Sequence, residues 1–150
     1  MVDLPPSYVI GSLTEPCVVH FKDVRHASDA PPHYYITIPL NDDVSLLLCI
    51  ITSQIEKRTT FYSKTNKTAV SCLVPVDKQV LPFLTRESII ECNQPEILTK
   101  EELAKCVNPK HKFIVTQRDI PPDLKGKVLD AIKNSPLVEP FIKKMIEKTK

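Results

Sequence analysis

Apolar positions in the first two thirds of the chain come in short runs bounded by proline, asparagine and aspartate, and helical spacing appears only in the last third. Cys17-Val18-Val19-His20-Phe21 reads as a short strand built from residues that favour extended backbone. A polar loop over 22–32 ends in Pro31-Pro32, and His33 to Ile38 then carries the aromatic and β-branched residues of a second strand, stopped by Pro39. Asn41-Asp42-Asp43 predicts a turn. The run from Val44 to Thr52 is apolar on both faces, which suits a central strand covered on either side. Residues 33–52 therefore read as a hairpin joined by an acidic turn. After a polar loop over 54–68, Ala69 to Val74 predicts a fourth strand before Pro75, and Ser88 to Cys92 a fifth.

The pattern then changes. Thr99 with Glu102 has the spacing of a capping box, and Leu98 with Leu103 that of a hydrophobic staple, so a helix is expected over 99–106, ending before Pro109. Phe113-Ile114-Val115 is a brief extended segment. Pro121 and Pro122 suit a first helical turn, and Leu124, Val128, Ala131 and Ile132 recur at helical spacing over 121–133. Phe141 and Met145, with Ile142 and Ile146, line a further helix at 138–148, with Lys143, Lys144 and Lys148 on its other side. Five to six short strands, a short mid-chain helix and two C-terminal helices make an α+β chain, mainly β. It reads as a single domain over 1–150, the β part at about 15–118 and the C-terminal helices at about 119–148.

Composition narrows the function classes. Two glycines in 150 residues, Gly11 and Gly126, build neither a dinucleotide-binding loop nor a phosphate-cradling loop, both of which need closely spaced glycines. Turns must therefore use Asn, Asp and Pro. The five cysteines are scattered through apolar runs with no C-x-x-C pair, the usage of small core residues. With no signal peptide legible in 1–10 and no apolar run near the length of a membrane span, the expectation is a cytoplasmic chain without a membrane partner.

The net charge of +2 conceals an asymmetry. Residues 1–56 hold seven acids and two bases, whereas 57–150 hold eleven acids and eighteen bases. Positive charge concentrates at Lys57, Arg58, Lys64 and Lys67 in the predicted loop, and at seven lysines over 125–150. Both are candidate phosphate-facing surfaces, although lysines on a terminal helix commonly form only a solvated face.

Among chemistry-bearing residues, no two of the four histidines have metal-ligand spacing on one predicted element, so no metal site is expected. His20 lies inside a strand and reads as structural, while His26 and His111 fall in polar segments. His33 begins the strand whose hairpin partner ends at Thr52, so a proton-transferring side chain and a hydroxyl meet at one end of the hairpin. A hydroxyl at a strand end also commonly does no more than satisfy backbone groups. Arg86, Glu87 and Ser88 offer a base, an acid and a hydroxyl just before the fifth strand.

Three segments together resemble the MazF/PemK-like toxins of toxin-antitoxin systems, over about residues 15–132. They are Leu46 to Thr52-Ser53, an apolar strand ending in hydroxyls, then Leu84-Thr85-Arg86-Glu87-Ser88-Ile89, and finally Asp119 to Ile132 as closing helix. The resemblance implies an SH3-like barrel and a metal-independent endoribonuclease without a cofactor. It implies single-stranded RNA and an antitoxin protein as partners, and a homodimer. Thr52 carries over as a catalytic position. Where the family has arginine before proline, this chain has Pro31-Pro32-His33-Tyr34, and His33 is the candidate to take over proton transfer. Catalytic residues are then His33, Thr52 and Arg86, with Arg58 also available to stabilise charge. RNA-binding residues are Lys57, Arg58, Phe61, Tyr62, Lys64 and Lys67, with Tyr34 and Tyr35 as further stacking groups. The competing expectation is a catalytically silent barrel that binds an acidic protein partner through the 54–68 loop.

Overall fold

A computed structural model describes residues 4–147. In chain order the elements are α1 (Pro6–Gly11), β1 (Cys17–Phe21), β2 (His33–Pro39), β3 (Ser45–Thr52), α2 (Ile55–Thr65), α3 (Lys67–Val70), β4 (Leu73–Val76), β5 (Ser88–Glu91), β6 (Glu96–Thr99), α4 (Lys100–Cys106), β7 (Ile114–Gln117), α5 (Pro122–Asn134) and α6 (Pro140–Glu147). The fold is α+β, mainly β. No helix among the described residues is long and apolar enough to cross a membrane.

All seven strands join one antiparallel sheet, in the order β4-β5-β3-β2-β1-β7, with β6 also on β3. β3 is central, as its two-faced apolar run predicts. One edge pairs with β2; the other pairs with β6 near its start and with β5 at its end. Alternate side chains of β3 enter two separate cores. Leu47, Cys49 and Ile51 pack with Leu124, Val128, Leu129 and Ile132 of α5, while Leu46 and Leu48 pack with Ile10 and Leu13 near α1 and Leu103 of α4. All five cysteines are buried and free.

The sheet stays open rather than closing into the expected barrel, because β4 and β7 end the order and no ladder joins them. Helices seal both faces instead: α5 and α6 on one, α1 and α4 on the other. Pro75, expected to end a strand, sits within β4, where an edge position tolerates the missing donor. Residues 67–70 form α3 rather than the start of the predicted 69–74 strand. In α6, Ile142, Met145 and Ile146 face the core while Phe141 is 57% exposed, and the predicted end at Lys148 lies outside the described residues.

Turn chemistry follows the glycine shortage. Asp43 takes φ 61°, the left-handed region usually given to glycine. Its neighbour Asp42 fixes the turn by accepting from the N–H groups of Val44 (3.0 Å) and Ser45 (2.8 Å). The capping box of α4 is complete: Thr99 Oγ1 accepts from Glu102 N–H at 3.0 Å, and Glu102 Oε1 accepts from Thr99 N–H at 2.8 Å. Thr99→Ala is expected to lower stability by about 1 kcal/mol in urea unfolding, and Thr99→Ser by much less, since serine keeps the acceptor.

Candidate functional site

The hairpin register positions the first two candidates. Tyr34 pairs with Ile51, so one step further the antiparallel ladder sets His33 across from Thr52, on the same face of the sheet. On the other edge of β3, Thr52 pairs with Ile89, which brings the 83–88 segment alongside. The result is an open cleft of about 360 Å³, lined by His33, Thr52, Ser53, Arg58, Arg86 and Ser88 among others. His33, Thr52 and Arg86 thus line one cleft. Tyr34 and Phe83 form part of its wall, their rings 4.7 Å apart.

His33 is half-buried, and its ring meets that of His26 edge-on at 5.6 Å. Its Nδ1 is enclosed and has no hydrogen-bond partner. Burial, followed by charge interactions with His26, Lys22, His20 and Arg58, holds the imidazole below its ordinary pKa, so the neutral form is favoured at neutral pH. Thr52 Oγ1 accepts from Gln54 N–H at 3.1 Å, the strand-end role open to any hydroxyl here. Its own O–H proton remains free to donate into the cleft. Arg86 is exposed, and among the described residues no hydrogen bond or ion pair engages its guanidinium. Only its carbonyl is used, by Ser88 Oγ at 3.2 Å.

Arg58 arrives from α2. The 54–68 segment is helical rather than the expected loop, since α2 spans Ile55–Thr65. Its sequence hides the helix: among its eleven residues only Tyr62 is buried, so no apolar stripe marks the period. Lys57, Phe61 and Lys64 fall at i, i+4 and i+7 on the exposed face, and Lys67 begins α3. Phe61 is 56% exposed.

Tyr62 is not available for stacking. It is 1% exposed, and its hydroxyl donates to Glu91 Oε2 at 3.1 Å. Burial and the Glu91 charge push its pKa up to about 12. Tyr35 is likewise in the core. Glu91 is the residue that sequence reading passes over. Its side chain is fully buried, accepting from Arg58 Nη1 at 3.0 Å, from Tyr62 and, through Oε1, from Asn93 N–H at 3.1 Å. The signal was a lone acid between Ile89-Ile90 and Cys92, in a run buried on both faces. A second ionic cluster also escaped notice, in which Arg25 bridges the buried Asp23 (2.7 Å) and the more exposed Glu96 (2.6 Å).

Among the described residues no group of three or more His, Cys, Asp or Glu side chains has the arrangement to hold a metal ion. No family model matches the chain, and a search of curated proteins finds no match.

Proposed function

We propose that the chain is a MazF/PemK-like endoribonuclease that cleaves single-stranded RNA without a metal, in the cleft at the end of the β2–β3 hairpin. The observation that carries this reading is the meeting of a neutral histidine, a donor hydroxyl and an unpaired arginine, from three distant stretches of sequence, around one open cleft. His33 accepts the proton of the ribose 2′-hydroxyl. The 2′-oxygen bonds to phosphorus, the bond to the 5′-oxygen breaks, and the departing 5′-oxygen takes a proton from water while the His33 imidazolium releases its own to solvent, giving a 2′,3′-cyclic phosphate and a 5′-hydroxyl. Arg86 faces the charge that builds on the non-bridging oxygens, Arg58 supplements it, and Thr52 orients one of those oxygens. Beyond the cleft, Lys57, Lys64 and Lys67 give the strand phosphate contacts, and Phe61 gives a base a stacking surface. An acidic antitoxin-type protein and a second copy of the chain are the protein partners this reading implies.

The test is incubation of the purified protein with RNA in EDTA. Cleavage to cyclic-phosphate ends is expected, with no cutting where the scissile nucleotide is 2′-deoxy. Charge reversal at Lys57 and Lys64 should weaken RNA binding and flatten its salt dependence by about one unit of slope per lysine. RNA left intact by the wild-type protein overturns the reading, and then favours a catalytically silent, partner-binding domain.

A further inference from the structure

A second cleft, larger than the candidate RNA site, shares no residue with it. It has a volume of about 850 Å³ and lies where α1, the segment after α4 and β7 meet. Lys110, His111, Lys112 and Arg118 are among its lining residues, and none of the fourteen is acidic. Its apolar lining is mainly aliphatic, including Val9, Val107 and Val115. The one Phe, Tyr or Trp ring in it, Phe113, is packed on Phe21 at 5.5 Å.

Beside this cleft the sheet has an open edge. Among the described residues β7 ends the strand order and pairs with β1 alone, and none of its four residues is buried. Half of the N–H and C=O groups of a terminal antiparallel strand point away from its neighbour. Proteins blunt such an edge with short strands, bulges, proline or charge on the strand. β7 is short and its ladder with β1 slips between Val18 and Val19, but Ile114-Val115-Thr116-Gln117 carries neither charge nor proline, and basic residues lie just before and just after it.

We propose that the outer edge of β7, with its basic-rimmed aliphatic cleft, docks an extended acidic peptide segment of another protein. Backbone pairing to β7 supplies the docking geometry, alternate apolar side chains of the peptide fill the cleft, and its carboxylates meet Lys110 and Arg118.

A short synthetic peptide alternating glutamate with valine and leucine is the probe, followed by fluorescence anisotropy at low salt. Wild-type protein and the His33→Ala variant should bind it equally, whereas Lys110→Glu with Arg118→Glu should weaken binding by at least about tenfold. Amide exchange should slow in 114–117 on binding. No binding, binding indifferent to the charge reversal, or unchanged exchange in β7 overturns the proposal. It is also overturned if single-stranded RNA displaces the peptide in a Lys110- and Arg118-dependent way, or if the wild-type chain self-associates through this edge.

Discussion

Arg58→Ala is expected to destabilise the fold by about 3–5 kcal/mol, a large share of the stability of a domain this size. The cause lies in the partner left behind. Glu91 has no exposed side-chain surface, and Arg58 is the cation bonded to it. Tyr62 and Asn93 still donate to the carboxylate in the variant, but neither supplies charge. The converse loss, Glu91→Ala, leaves no buried charge, because the Arg58 side chain is 26% exposed and turns toward water. It leaves the Tyr62 hydroxyl and the Asn93 N–H without an acceptor, at about 1–3 kcal/mol each at most. Arg58→Ala combined with Glu91→Gln should recover most of the first loss, since the amide oxygen still accepts and no charge is buried. Urea unfolding of wild type, Arg58→Ala, Glu91→Gln and the double variant closes a double-mutant cycle. If Arg58→Ala falls within about 0.5 kcal/mol of wild type, the range of an ordinary surface substitution, the ion pair is not what makes Glu91 tolerable.

The same pair begins a polar chain through the core. Beyond Glu91, Asn93 Nδ2 donates to the Ala69 carbonyl at 2.8 Å, and Ser135 Oγ donates to Asn93 Oδ1 at 2.7 Å. Lys143 Nζ of α6 then donates to the Ser135 carbonyl at 2.7 Å. α2, α3, β5 and both C-terminal helices therefore share one hydrogen-bonded line. Arg58 serves the cleft and this line together, so RNA binding by Arg58→Ala reads out folding as well as contact. Arg86→Ala, at an exposed position outside the line, is the cleaner probe of charge in the cleft.

What was legible in the sequence depended on how locally each feature is encoded. The capping box at Thr99 and Glu102 is a four-residue signal and was legible to within a residue. The hairpin was legible because β3 is buried on both faces and proline and aspartate bound it. Its two strand ends then bring His33 and Thr52 to one end of the hairpin, where both line the cleft. Barrel closure was not legible, because it depends on whether β4 meets β7, which no local pattern encodes. α2 was missed because its stability rests on one buried tyrosine and a buried ion pair supplied by a strand about thirty residues away. Tyr62 and Arg58 looked like neighbouring surface groups of a loop. On a helix they turn together toward Glu91, while Lys57, Phe61 and Lys64 turn outward. The basic cluster seen in the sequence therefore keeps Lys57, Lys64 and Lys67 on the surface, while Arg58 is tied to Glu91.

The pH dependence of His33 is the sharpest test of its role as a base. Its folded pKa lies below the ordinary imidazole value of about 6.5, first through burial and then through nearby positive charge. Proton acceptance requires the neutral ring, so cleavage should rise with pH along a limb centred below about 6.5. Stability should follow the same direction. The unfolded chain binds a proton at His33 at higher pH than the folded chain does, so the fold loses stability as pH drops below about 6.5 until the folded pKa is passed. His20, also lowered by burial, contributes a second share of that loss. His33→Gln should therefore reduce the acid sensitivity of unfolding without abolishing it. It should also lower the cleavage rate by about 10²–10⁴-fold and remove the acid limb. His20→Gln should leave the limb in place, since His20 packs on Tyr34 at 4.4 Å and does not line the cleft. A His33→Gln protein that cleaves within tenfold of wild type along an unchanged limb assigns the proton to another group. An unchanged slope of stability with pH denies even the buried, neutral imidazole on which the assignment rests.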